Sequence, residues 1–516
     1  MATPAPEANG RGALEHRAAK VSLVNVICTV LSIAFQLISV PVCFHYWGKE
    51  TYGSWLALLS AYMLLRGLDA GYGAFVGNKM NLLYHKSIGA LREHLASAVV
   101  GTTVIGLLQL ILAAGILFLG SLSAMVSMPA EQADSSNARW GLLALTASWV
   151  LTGSYLGIVS RLLIPAGLMY QSAWWAMAFP VGQFGAVMVS AVLRLNMLET
   201  SLLCALSQAV ISVATARYVH RVLPEFSPWL RGARTEVGLR DLGDSMLLAI
   251  SNLIQQSATN GAILLVSVMA GPIAVSMFTT VRTLTILWNS ITAILSTPLL
   301  PDVVRIHAKR EVAKLVAINR AYWVLAGSAV NLGALLSYPL IPSLYSRWTA
   351  HAIALDQPLL CLMLGSVVVG NSGALMALHL NGINSLRIVL AASLIRAVVG
   401  LGGGAAGYPI YGLASFGFST LTGEIVATLM TARFFLRHEI EAKGARISLF
   451  SFGPVLASTG SALLYFVGSA FGWWSIGVAW MMATACSAAA SVWGWYTLEP
   501  ELQVRLRGIP AKLLGL

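Results

Sequence analysis

Residues Tyr46–Leu95 read YWGKETYGSWLALLSAYMLLRGLDAGYGAFVGNKMNLLYHKSIGALREHL. An aromatic turn at Tyr46-Trp47-Gly48 opens the stretch, and an apolar run follows that carries Arg66 and Asp69. Four glycines come next (Gly67, Gly71, Gly73, Gly77), then a basic exit with Lys79, Lys86 and Arg92. A charge inside an apolar span costs roughly 2.5–3.5 kcal/mol on insertion scales and faces protein or water rather than lipid. A span that keeps two of them points to a membrane protein with a polar pathway.

The rest of the 516-residue chain agrees. It is 57% hydrophobic and 10% charged, whereas soluble domains carry about 25% charged residues. The net charge of +12 does not form a continuous basic stripe, so nucleic acid is not an expected partner. Its lysines and arginines sit instead in short loops between apolar runs. The five cysteines show no CxxC or Cys/His spacing, which argues against a zinc site or a disulfide framework.

A bilayer-spanning helix needs roughly 20 mostly apolar residues. Fourteen such runs are expected: 21–44, 52–77, 94–119, 140–163, 169–193, 197–218, 245–269, 273–300, 315–338, 357–378, 386–406, 410–432, 447–470 and 474–497. The fold class is therefore all-α and polytopic, with about 14 transmembrane helices. Placing the N-terminus in the cytoplasm puts only Lys49, Arg139, Arg194 and Arg347 in external loops and Arg66, Arg282, Arg320 and Arg396 within spans. The remainder of the 32 basic residues fall in cytoplasmic segments, as the positive-inside rule requires. Both termini are then cytoplasmic.

The connection at 219–243 holds two prolines and several arginines and reads as an amphipathic cytoplasmic linker. It separates an N-lobe of six spans (21–218) from a C-lobe of six (244–433). Two extra spans (446–497) and cytoplasmic tails (1–20 and 498–516) complete the chain. An offset of 223 residues lays Gly48 on Gly271 and Lys86 on Lys309. Each half thus runs span, external turn, long span, basic internal loop, which makes the two lobes pseudo-symmetric repeats of the kind found in transporters.

Within the spans, Asn25, Thr29, Ser32 and Gln36 share one helical face, and Asn252, Gln255, Gln256, Thr259 and Asn260 occupy the matching depth after the offset. Interhelical hydrogen bonding accounts for such stripes; a polar cavity wall is the sharper alternative. At 1.5 Å rise per residue, Arg282 lies about 14 Å and Arg396 about 15 Å into their spans. Neither has a carboxylate within one turn of chain. Midplane arginines suit a phosphate-bearing ligand through their bidentate fork, so Arg282, Arg396 and Arg66 are the candidate substrate residues. Arg66 and Asp69, spaced i, i+3, can instead neutralise each other. Arg396 and Glu424 differ by about 6 Å in depth, so their pairing needs tilted helices. Glu424 and Asp69 are the deep carboxylates and the candidates for ion coupling.

No phosphate loop, nucleophile elbow, paired external carboxylates or metal-ligand cluster is legible, so no catalytic residues, metal or cofactor are expected. Gly402–Gly407 matches G-x-G-x-x-G only formally, because no strand precedes it.

The segment from Pro41, PVCFHYWGKETYGSWLALLS, and its continuation LLRGLDAGYGAFVGNK (Leu64–Lys79) resemble the polysaccharide-transporter branch of the multidrug/oligosaccharidyl-lipid/polysaccharide exporter superfamily, the Wzx-like flippases. Gly48, Glu50, Tyr52, Gly53, Trp55, Leu68, Asp69, Gly71, Gly73 and Asn78 carry the match; Gly271, Ala274, Pro298 and Pro301 repeat it loosely. The resemblance implies two six-helix lobes enclosing a cationic cavity, plus two trailing spans. It also implies flipping of undecaprenyl-diphosphate-linked oligosaccharides (O-antigen or exopolysaccharide units) across the bacterial inner membrane. The expected partners are that lipid-linked oligosaccharide and membrane lipids, with polysaccharide polymerase and chain-length proteins beyond them. A drug/cation antiporter of the same superfamily is the nearer alternative, though a cation site would favour acidic residues. A membrane-embedded polysaccharide polymerase or ligase is the distant one, and would need a large external loop that the chain lacks.

Overall fold

A computed structural model describes residues 10–118, 135–441, 453–500 and 503, except 85, 384, 475–476 and 499. The first nine residues of the N-terminal tail, most of the 120–139 loop, the start of the 446–497 pair and nearly all of the C-terminal tail lie outside them. Among the described residues the regular structure is helical throughout, and a helix overlaps each of the fourteen expected spans. Nine stretches among them are long and apolar enough to cross a bilayer by the stricter test of length and hydropathy. One of these, Thr235–Ser296, contains two of the expected spans.

We number the helices α1 (Gly10–Tyr46), α2 (Gly48–Tyr84), α3 (Ile88–Phe118), α4 (Ser136–Leu163), α5 (Met169–Val192), α6 (Met197–Val222), α7 (Thr235–Gln256) and α8 (Ala262–Ser296). There follow α9 (Val312–Trp348), α10 (Gln357–Gly382), α11 (Arg387–Tyr411), α12 (Ala414–Phe434), α13 (Gly453–Ala470) and α14 (Val478–Tyr496). Local chemistry sets several boundaries. At the start of α6, Asn196 and Glu199 form a reciprocal capping box, each backbone N–H bonded at 2.9 Å. Asp356 accepts from the Leu359 N–H at 2.9 Å to cap α10. The α1–α2 turn places Gly48 at φ +78°, and the break within α8 places Gly271 at φ +79°, just before Pro272. Those are the two glycines that the 223-residue offset superimposes. Both adopt the left-handed conformation, and a Cβ at either would meet nothing within 4 Å. Backbone torsion, not space, demands glycine at both turns.

The chain divides into two compact units, Met1–Ser276 and Met277–Leu516. In the first, α2 is the central helix: Trp55, Tyr62, Tyr72, Val76 and Met80 are buried along it. It packs closely on α7, where a Cβ on Gly71 would stand 2.3 Å from the Ala249 backbone. Small residues spaced i, i+4 permit that approach. Buried Asp241 of α7 ties the same helices, accepting from Lys79 of α2 and from His94 Nδ1 of α3 at 2.8 Å. The 219–243 connection is helical at both ends. Its middle packs against helix ends, with Phe226 beside Leu91, Leu95 and Val219 in one apolar cluster.

In the second unit α10 is central, with Leu360, Leu364, Val368, Leu375 and Leu380 fully buried. Outer faces are apolar as well: Leu107, Leu108, Ile111 and Leu112 of α3 are all exposed. Such a surface suits lipid rather than water. This is a multi-pass membrane protein.

Among the described residues, five π-helical turns interrupt the helices: Trp149–Ser154, Ser257–Gly261, Ser328–Leu332, Val398–Gly402 and Phe435–Ile440. Such turns re-aim side chains and concentrate at functional sites. Two of them bracket the cavity of the first unit.

Candidate functional site

That cavity measures about 350 Å³, within the range of small-ligand pockets. Its space comes from missing side chains: Gly67, Ala70 and Gly73 on α2 face Gly153 and Gly157 on α4. Its chemistry comes from Arg66 and Asp69 of α2, Trp149, Ser154 and Arg161 of α4, and Gln256 at the end of α7.

The π-turn in α4 brings Trp149 and Ser154 to Asp69. The Trp149 Nε1–H donates to Asp69 Oδ2 at 2.7 Å, and buried Ser154 lines the cavity beside the same carboxylate. Asp69 is only 7% exposed. Over the face of the same indole, the Arg66 guanidinium stacks 4.0 Å from the ring centroid. Such cation–π contacts fix a guanidinium in position while leaving its N–H fork free to donate. Arg66 and Asp69 therefore meet through the indole rather than as an i, i+3 ion pair: the guanidinium lies over the ring face and the carboxylate at its N–H edge. An aromatic ring that binds both partners explains why.

Arg161 lies against the second glycine pair. Its guanidinium stands 3.5 Å from a Cβ position on Gly73, and its Cδ 2.9 Å from one on Gly77. These two glycines make room for a side chain, whereas Gly67 and Gly71 make room for α7. The cavity thus holds two guanidinium groups and one carboxylate, and is net positive. By sequence Arg161 reads as one more loop charge, and no local pattern marks Trp149. The hint for Arg161 was a second Gly-x-x-x-Gly with no helix assigned to it.

Of the expected polar wall, Gln256 lines the cavity and accepts from Asn260 Nδ2 at 2.8 Å. Asn252 donates to the Leu248 carbonyl at 3.0 Å, while Gln255 and Gln36 are exposed and Thr29 is half-buried away from the cavity lining. The side chain of Asn25 lies outside the described residues.

In the second unit, Arg396 does have a carboxylate partner. Its Nε donates to Glu424 Oε2 at 2.7 Å and its Nη2 to Oε1 at 2.8 Å. The bidentate fork is the pairing with Glu424 that the difference in depth left dependent on tilt. A long side chain and close packing, with a Cβ on Gly423 only 3.4 Å from the Arg396 Cα, overcome the difference in depth. Thr428 adds a bond to Glu424 Oε1 at 3.3 Å. Arg282 sits half-buried on α8.

No family model and no curated protein matches the chain in sequence. Solved structures match it in fold. A lipid II flippase, MurJ, in an inward closed conformation superimposes with a TM-score of 0.64 over 91% of this chain and 97% of its own, at 13% identity. An inward-facing multidrug-resistance MATE transporter of the MOP superfamily gives 0.61 over 80% and 98%, at 15% identity. A mutant of the Vibrio cholerae MATE transporter VcmN gives 0.57 over 83% and 99%, at 17% identity. By fold, this chain is a polytopic all-α membrane protein built like these transporters.

Proposed function

We propose that this protein is a flippase that moves undecaprenyl-diphosphate-linked oligosaccharides across the bacterial inner membrane by alternating access, and that its cationic cavity receives the anionic head. The observation that carries this reading is the pairing of Arg66 and Arg161 in one cavity whose carboxylate is already bonded. A guanidinium fork matches phosphate oxygens, and a diphosphate offers enough of them for both. The lipid tail stays in the bilayer beside the apolar outer helices. Both termini face the cytoplasm, and Arg282 and Arg396 line the polar route in the second unit. Glu424 and Asp69 are the groups through which an ion gradient resets the protein. The likeness to a lipid II flippase supports a lipid-linked substrate, and the glycan follows from the sequence resemblance.

Reconstitution into vesicles holding a fluorescent undecaprenyl-diphosphate oligosaccharide tests this. Wild-type protein should move the label across the bilayer, and an Arg66→Ala, Arg161→Ala double variant at equal protein level should not. Equal transport by both would sink the assignment. A drug or cation exporter is the second reading, favoured by the buried Asp69 carboxylate in the cavity. It predicts efflux of a cationic dye that the arginine double variant preserves and Asp69→Asn abolishes.

A further inference from the structure

Outside the cavity, the second unit gathers three ligand-bearing side chains from three separate segments. His307 comes from the short helix Leu300–Ala308, His379 from the end of α10, and Glu439 from the π-turn Phe435–Ile440 that continues α12. Their ligand atoms all lie within 4.8 Å of one another. Glu439 Oε2 stands 2.9 Å from His307 Nδ1 and 3.6 Å from His379 Nε2. We infer that these residues form a binding site for a divalent first-row transition metal, with Zn²⁺ as the representative ion.

Four features support the inference. Two imidazoles and one carboxylate form a borderline donor set that suits zinc, iron, cobalt or nickel and not magnesium or calcium, which take oxygen ligands. With metal–ligand bonds of about 2.0 Å, tetrahedral donors stand about 3.3 Å apart. The two His–Glu439 spacings, 2.9 and 3.6 Å, bracket that value. His379 is fully buried and held by Phe435, whose ring meets its imidazole edge-on at 5.3 Å. His307 keeps 28% of its side chain exposed, which gives an ion a way in from the aqueous end. Three protein ligands leave the fourth position to water. The metal would join the ends of three helical segments, so its consequence is a clamp on that end of the unit rather than a chemical step. This inference does not depend on the proposed cargo.

The test uses full-length, tag-free protein in detergent, stripped with a chelator and then titrated with Zn²⁺ by equilibrium dialysis. One ion should bind per wild-type chain and raise the thermal midpoint. Glu439→Gln, which preserves shape, and His307→Ala, at a partly exposed position, should each weaken binding by more than the roughly 10–100-fold cost of losing an outer-shell partner. His438→Gln, an exposed neighbour whose ring bonds and stacks on Phe434, should bind as wild type. Should either ligand variant fail to fold, Co²⁺ bound to the wild-type protein decides, since a tetrahedral centre shows visible d–d absorption. Absence of stoichiometric Zn²⁺, wild-type affinity in both ligand variants, or an octahedral Co²⁺ spectrum would overturn the site.

Discussion

The guanidinium of Arg66 stands over the indole of Trp149, 4.0 Å from the ring centroid, and the edge of that same ring bonds Asp69. One aromatic side chain thus positions both charges of the central helix. Trp149→Phe keeps a ring for Arg66 but removes the donor to a nearly buried carboxylate. Leaving such a group short of a bond costs about 1–3 kcal/mol. We expect a lower thermal midpoint for Trp149→Phe, with the loss largely relieved in Trp149→Phe, Asp69→Leu. A thermal shift assay on the purified variants checks both.

The two glycine pairs of α2 should respond differently to substitution. Gly71→Ala drives a methyl into the Ala249 backbone at 2.3 Å, whereas at Gly73 the nearest atom is an Arg161 nitrogen at 3.5 Å. Overpacking against backbone costs about 1–3 kcal/mol or more. Gly71→Ala should therefore cut the yield of folded protein, and Gly73→Ala should fold normally. Size-exclusion profiles after mild extraction separate them.

The Arg396–Glu424 fork is partly exposed, with side chains 33% and 17% accessible. Removing one partner strands the other charge inside the unit, and the expected cost is about 1–3 kcal/mol for each single leucine variant. The double leucine variant should cost less than the sum of the two. Additive losses in a double-mutant cycle would mean that the pair does not couple.

Orientation is open to chemical labelling. Lys49 and Lys86 are both exposed and, on the proposed topology, lie on opposite sides. In a background lacking the five native cysteines, Lys49→Cys should react with an impermeant maleimide in intact cells. Lys86→Cys should react only after permeabilisation. The reverse pattern would invert the topology.

Several of these features were legible in the chain and others were not. The spans were legible because hydrophobic length is a one-dimensional property. The turn glycines were legible because Gly48 and Gly271 recur at one offset, and the structure gives both the same left-handed torsion. Arg161 was not. Its charge reads like any loop arginine until α4 folds it against Gly73 and Gly77. The Arg396–Glu424 pair was legible only as one of two readings, because depth along a helix says little about how far a guanidinium reaches sideways.

The sequence alone determined that this is a polytopic helical membrane protein with a glycine-turned, charge-bearing second span. Bilayer length, loop charge and backbone torsion act locally and leave their mark in consecutive residues. Only tertiary structure decided which charges meet. The π-turns at Trp149–Ser154 and Phe435–Ile440 re-aim side chains by an amount no periodicity records. Trp149 and Asp69 are 80 positions apart, and His307, His379 and Glu439 sit on three different segments. Contact between such residues is a property of packing, where small side chains set the distances and the chain order does not.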